Sequence, residues 1–335
     1  MLLRLWPEKT KVSFMSFRFA AMVLSVLAIL ASAALLSMRG LNLGIDFAGG
    51  SVIEIVQPED TTAQDIRDVL VPLGLGQVDV NSARGTGQDA VDLAIIRFET
   101  QTPEEGEDPD QVQNIATEKV KQTLRDSFNF PTAEAEALLP DKDKIFRSIA
   151  SVGPKVSGEL FAAGIKALAG ALFLMMVYIS FRFQWQYAVG AVTALFHDVI
   201  LTMGMFALTG FEFNLATIAA LLTIVGYSMN DTVIVFDRVR EEARKYKKLE
   251  LPKVVDLAIN ATMSRTLLTS GTTLLALMSI FLFGGEVLRG MSFALIFGVI
   301  VGTYSSIFVA SAVVLVLGIN RGDQPKREVE GFTGA

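Results

Sequence analysis

Residues Gly226–Glu242 read GYSMNDTVIVFDRVREE. The stretch closes a long apolar run, takes in Asn230 and Asp231, and leaves through a charged segment. A carboxylate inside a membrane-spanning helix costs about 2.5–3.5 kcal/mol on insertion scales and more in simulations, so it is rare and marks a functional site. The rest of the chain reads as a frame that holds Asp231 at depth.

Working outward, that run (Leu215–Phe236) has five companions: Phe19–Met38, Leu160–Phe181, Tyr187–Thr209, Met263–Phe283 and Phe293–Leu317. Each is about as long as a bilayer is thick. The whole chain, 335 residues, is 51% hydrophobic with a mean hydropathy of +0.47, too apolar for an ordinary soluble domain. The spacing predicts a polytopic α-helical membrane protein of six transmembrane helices. The first occupies positions 17–38, helices two to six positions 159–318, and a polar tail 319–335. The first run is longer than the apolar core of a signal peptide and further spans follow, so it reads as an uncleaved span. Arg4, Lys9 and Lys11 place positions 1–16 in the cytoplasm. Alternation then puts Arg182, the Asp237–Lys253 segment and Arg321, Lys326 and Arg327 on the same side, and the region 39–158 outside.

That outer region carries about two acids for each base. Its pattern predicts a strand with a glycine break over Gly44–Val56 and a helix over Thr62–Leu70 capped by Thr61 or Thr62. Strands follow at Gln77–Ser82 and Ala90–Phe98 around the turn Ala83–Gly87, then a loop at Thr102–Pro109. A helix over Asp110–Phe128 and a last strand at Thr132–Leu138 complete the order βαββαβ, a small ferredoxin-like α+β domain.

Several chemistries are excluded. The chain has no cysteine and one histidine, His197, so it has no disulfide framework, thiolate site or histidine metal cluster. No GxxxxGK[ST] loop is present, and no nucleophile–histidine–acid set falls on one face, so an enzyme reading lacks support. The net charge of −6 averages two opposite regions and does not point to nucleic acid.

Within the membrane, Asp231 is expected about two turns before span four leaves near Val239, and Arg265 about one turn into span five from Ala261. Thr262, Arg265, Thr269 and Thr272 follow the spacing of one helix face. Tyr227 and Asp231 are one turn apart, as are Gly226 and Asn230. This arrangement predicts a polar seam in which Asp231 pairs with Arg265 and Tyr227, Asn230 and Thr269 support them. A carboxylate beside an arginine can take up and lose a proton and so bias helix packing. The same pair can instead be a static ion pair that fixes helix register. His197 and Asp198 in span three read as an interfacial pair that anchors or caps, or else as a second relay element. Gly298 and Gly302 allow close packing of span six inside the bundle. Asp46, Gly49 and Gly50 after span one read as a bulged first strand or as a hinge.

GLNLGIDFAGGSVIEI after span one, VGPKVSGEL before span two, FHDVILTMG in span three, IVGYSMNDTVIVFDRVRE in span four and SRTLLTSGTTLLAL in span five together resemble the SecF side of the SecD/SecF family. The resemblance covers nearly the whole chain in order. It implies half of a resistance-nodulation-division type bundle with one periplasmic domain. It also implies an auxiliary role in Sec protein export from the bacterial inner membrane, driven by the proton-motive force, with protons as the coupling ion and no other cofactor. The implied partners are SecD, the SecYEG channel with SecA, YajC, membrane lipid and unfolded preprotein, not nucleic acid. Asp231 matches the family's span-four proton-path aspartate, Arg265 its span-five arginine, and Asp46, Gly49 and Gly50 its first motif. A proton-driven small-molecule or lipid exporter of the same superfamily is the alternative. Such exporters usually carry two half-bundles in one chain, and this chain has one.

Overall fold

The computed structural model describes residues 12–76, 78–84, 91–101, 103, 108–140, 143–284 and 286–319. Arg4, Lys9, Lys11, Arg321, Lys326, Arg327, the turn glycines Gly85 and Gly87 and most of the 102–109 loop lie outside the described residues. Among the described residues, six helices are long and apolar enough to cross a membrane. They are α1 (Arg18–Arg39, entered through a 3-10 turn at Phe14–Phe17), α6 (Pro154–Arg182), α7 (Trp185–Thr209), α8 (Leu215–Lys245), α9 (Leu251–Phe283) and α10 (Glu286–Ser305). The last continues through a π-helical turn at Ser306–Ala310 into α11 (Ser311–Leu317).

Two of these helices run furthest past the limits expected from hydropathy, while α6 and α10 begin six and seven residues early, at Pro154 and Glu286. α8 carries on beyond Val239 to Lys245, which leaves Asp231 at its midpoint instead of near its end. α9 starts at Leu251, so Arg265 also lies near mid-helix. In both cases the helix continues out of the apolar window as an amphipathic extension, which hydropathy cannot see.

The three central spans α7, α8 and α10–α11 bury 56, 56 and 61% of their most apolar windows, against 17, 11 and 11% for α1, α6 and α9. The core therefore sits between α7, α8 and α10, with Tyr187, Leu195, Phe236, Val255 and Ile259 in one cluster. Small residues permit the close approaches. A Cβ on Gly298 would stand 2.3 Å from the Ile224 side chain, and one on Gly302 3.1 Å from Ser228 Cβ, so this glycine pair packs α10 against α8 inside the bundle. Gly204 of α7 likewise admits Ser32 of α1.

The polar region folds as β1 (Gly50–Val56), α3 (Ala63–Leu70), β2 (Val78–Arg84), β3 (Asp92–Phe98), α4 (Pro109–Phe128), α5 (Ala133–Ala137) and β4 (Phe146–Val152). The sheet is antiparallel throughout with order β2-β3-β1-β4, the ferredoxin-like arrangement. Ile53 and Ile55 of β1 meet Ile66, Leu70, Val120 and Leu124 of the helices in its core. Thr62 caps α3 in a reciprocal box with Asp65.

The last strand is not where the pattern put it. Thr132–Leu138 alternates in period two, but it forms the short helix α5 with Thr132 as its cap, because Ala and Glu favour helix and the Thr132 hydroxyl accepts the amide of Ala135. The strand is Phe146–Val152, in which only Phe146 is buried, so no alternation announces it. The opening is corrected too: Ile45–Ala48 is a single helical turn, α2, and β1 begins only at Gly50. Gly49 (φ 74°) and Gly50 (φ 112°) make the corner between them. A Cβ on Gly49 would meet Thr100 Oγ1 at 2.3 Å and one on Gly50 the Phe98 carbonyl at 2.5 Å.

Candidate functional site: two buried carboxylates among three helices

Asp231 is 5% exposed and takes its hydrogen bonds from hydroxyls. Thr266 Oγ1 of α9 donates to Oδ1 at 2.7 Å, and Ser306 Oγ at the start of the π turn donates to Oδ2 at 2.7 Å. One layer along, the Tyr227 hydroxyl donates to Ser270 Oγ (3.1 Å), which shares a hydrogen bond with Thr303 Oγ1 (2.8 Å). The buried polar stripe of α9 is therefore Thr262, Thr266 and Ser270, at four-residue spacing.

Arg265 does not pair with Asp231. It is exposed on the outer side of α9 and makes no ion pair among the described residues. Thr269 and Thr272 are exposed as well and bond back to the carbonyls of Arg265 and Leu268, and Asn230 is exposed on α8. The expected face was one residue off, a rotation of about 100°. Thr266 and Ser270 were missed, although their spacing from Thr262 was a readable signal.

The second carboxylate, Asp198, is buried too, at 1% exposure, and so is His197 beside it. This corrects the interfacial placement: hydropathy counts depth along a helix, whereas these side chains point into the packed centre between α7, α8 and α10. His197 Nδ1 lies 2.9 Å from Asp198 Oδ1, and Ser228 Oγ (2.5 Å) and Ser305 Oγ (2.8 Å) donate to Oδ2. The imidazole stacks on Tyr304, with centroids 6.1 Å apart and planes at 28°. Tyr304 donates to the Ala21 carbonyl (2.9 Å) and accepts from Ser25 (3.1 Å), which ties α1 to the same layer.

Asp46, whose role spacing left open, sits at the joint between the ferredoxin-like domain and the bundle. Its Oδ2 accepts the backbone N–H of Leu215, the first residue of α8, at 2.9 Å. The strand-like segment before it pairs with the short α7–α8 loop: Gly44 N donates to Phe213 O (2.9 Å) and Phe213 N to Asn42 O (2.7 Å). Arg97 of β3 forms an ion pair with Glu212 of that loop. The ferredoxin-like domain is thus fastened to the N-terminus of the helix that carries Asp231.

No group of three or more His, Cys, Asp or Glu side chains able to hold a metal is found among the described residues. A carboxylate ringed by hydroxyls, each both donor and acceptor, keeps hydrogen-bond partners whether ionised or protonated.

Fold and site together define a polytopic membrane protein with two buried, hydroxyl-bonded carboxylates in a helical half-bundle and one ferredoxin-like extramembrane domain. The chain belongs to the SecD/SecF family of protein export membrane proteins: the C-terminal region of that family matches residues 133–320 and its GG motif residues 34–56. Proteins called protein translocase subunit SecF are similar along almost their whole length. That of Cereibacter sphaeroides is 42% identical, covering 99% of this chain and 97% of its own, and that of Rickettsia rickettsii is 40% identical, covering 95% and 96%. A crystal structure of SecDF from Thermus, described as a translocon-associated membrane protein, superposes with a TM-score of 0.75 at 30% identity over 93% of this chain. The present chain spans 39% of that SecDF chain.

Proposed function

We propose that this protein is an auxiliary subunit of the Sec translocase that, together with a SecD half, uses the proton-motive force to promote late steps of preprotein export across the bacterial inner membrane. In this reading it is a transport component and not a catalyst, with protons as the coupling ion and SecYEG, SecA and YajC as the surrounding machinery. The termini lie in the cytoplasm and the ferredoxin-like domain in the periplasm. The observation that carries the reading is the placement of Asp231: a buried carboxylate at the middle of α8 with no ion pair among the described residues, held by hydroxyls of α9 and the π turn, on the helix whose start is clamped to the ferredoxin-like domain.

Protonation would turn Asp231 from acceptor into donor and reverse its bonds to Thr266 and Ser306. α8 would then repack against α9 and α10, and the Asp46 and Arg97 links would carry the change to the outer domain. Moving one charge through 100 mV supplies about 2.3 kcal/mol, enough to shift a two-state equilibrium about fifty-fold. Arg265 enters here in a different role. A bare arginine at mid-helix is costly in lipid, so the exposed face with Asn230, Arg265 and Thr269 suits burial against the SecD half.

The test is pulse-labelled precursor export in cells carrying Asp231→Asn at native expression, with drug sensitivity followed in parallel. Slowed maturation with unchanged drug sensitivity is expected. Export still accelerated by the proton gradient would overturn the reading, and raised drug sensitivity alone would favour a small-molecule exporter.

A further inference from the structure

Ser305 and Ser306 follow one another in α10 and the π turn, about 100° apart around the axis, and each donates to a different carboxylate. Each hydroxyl also has a second acceptor in its own helix: Gly302 O at 3.2 Å for Ser305 and Thr303 O at 3.0 Å for Ser306. One hydroxyl has one hydrogen, so each serine serves either the carboxylate or the carbonyl at a given moment. That makes a pair of two-state elements. They sit at the start of a π turn, a wide and locally weakened stretch of helix often found at functional sites. The Ser306 carbonyl there is taken up by Ser311 Oγ at 3.1 Å.

The second observation concerns His197. Its Nδ1 faces Asp198, but its Nε2 is buried without a hydrogen-bond partner. With Nδ1–H given to Asp198, Nε2 keeps a free lone pair at which a proton can add, and the Asp198 carboxylate at 2.9 Å balances the charge that results. Among the described residues Asp231 has no such partner.

We propose that His197 and Asp198 form a second proton-holding site in this bundle, coupled to Asp231 through the Ser305–Ser306 pair. A proton from solvent binds His197 Nε2, and the resulting imidazolium stays bonded to the Asp198 carboxylate through Nδ1–H. Two effects couple the sites. Both acids lie in one apolar interior, so the charge of one acts on the other with little screening. Both also share helices: α10 and its π turn carry a donor to each, and α8 carries Asp231 together with Ser228, a donor to Asp198 one turn away. The remaining titratable groups around this layer are few. α10 contributes Tyr304, with Arg289 in its first turn; α8 contributes Tyr227 as well as Asp231, with Asp237 and the charges after it past its apolar run; and α9, packed against both, contributes Arg265, which is exposed. α1 has only Arg18 and Arg39 at its ends, Lys155, Glu159, Lys166, Tyr178 and Arg182 of α6 are exposed, and α11 has none.

The test is pH-difference infrared spectroscopy of the full chain, co-expressed with its SecD half and returned to lipid, with steps assigned by comparing native and variant chains. Two steps are expected in the native chain. Asp231→Asn removes one and moves the midpoint of the other by about one pH unit, the strength at which two groups titrate as a pair. His197→Gln and Asp198→Asn each remove the second step and move that of Asp231. If Asp198→Asn fails to assemble, Ser305→Ala carries the test, because it leaves both acids in place and moves the midpoint of the second step. A single step in the native chain, or midpoints that stay fixed in every variant, overturns the proposal. It rests on the proton-linked reading of the bundle, yet the two fail separately. Coupled steps with export indifferent to the proton gradient would sink the functional reading alone, and gradient-driven export with a single step would sink this one alone.

Discussion

Asp46 caps Leu215 across 169 positions of sequence, its Oδ2 2.9 Å from the backbone nitrogen. The first turn of a helix leaves amide groups unpaired, and a carboxylate placed there satisfies one of them and favours the positive end of the helix dipole. Here Asn214 is the local cap, with its reciprocal bonds to Thr217, so Asp46 adds a second acceptor from a distant segment. The link is a joint between two parts of the molecule as much as a cap.

Replacing Asp46 with Ala should therefore loosen α8 at its start without unfolding the bundle. The expected cost is about 1 kcal/mol, as for other lost caps. Hydrogen exchange should speed up at Leu215 and its neighbours and stay unchanged at mid-helix around Asp231, while export slows. Asp46→Asn should be milder, because an amide oxygen can still accept. Unchanged exchange at Leu215 in the alanine variant would show that Asn214 alone holds the helix start.

Arg265→Gln separates the observed arrangement from a buried ion pair. Removing one partner of a buried pair costs about 3–5 kcal/mol, whereas an exposed side chain away from any such feature changes stability by about 0.5 kcal/mol or less. Because Arg265 faces outward, the thermal midpoint of the isolated chain should hardly move, and co-purification of the SecD half should fall. A drop of several kcal/mol in the isolated chain would restore the Asp231–Arg265 pair.

Glu136 is expected to make the ferredoxin-like domain acid-sensitive. Burial pushes its carboxyl up, but the amides of Phe146 and Ile145 and the guanidinium of Arg125 at 2.5 Å push it down further, so it lies below its ordinary 4.5. A lowered value in the folded state means that the stabilisation is complete above the ordinary carboxylate range and is lost as pH falls through the folded value. Protection of the Ile145 and Phe146 amides, corrected for intrinsic exchange, should fall below about pH 4.5 in the native chain. Glu136→Gln should lower protection at neutral pH and flatten the dependence. Equal pH dependence in both chains would assign the effect to another acid.

How far the sequence could be read differs from element to element. The six spans and the presence of an acid within the fourth were legible because hydropathy is a local property and a carboxylate in an apolar run is costly wherever the chain folds. The ferredoxin-like order was legible as well, apart from its last strand, since in Phe146–Val152 the alternation that reveals strands is absent. The near-complete burial of Asp198 and His197 was not legible, because depth along a helix says nothing about which way a side chain faces.

The partners of Asp231 show where the limit falls. Thr262, Arg265, Thr269 and Thr272 keep the spacing of one helix face, and Thr262, Thr266 and Ser270 keep that of the face beside it. Both sets satisfy the same periodicity, so the sequence by itself determined that α9 carries a polar stripe and that α8 carries an acid. Only the tertiary structure decided which stripe meets the acid. That choice depends on the rotation of α9 about its own axis, which is set by the side chains of its neighbours: Val255 and Ile259 pack into the core, and Ser270 meets Thr303. Packing of this kind is a property of several helices at once and is written in no single one of them.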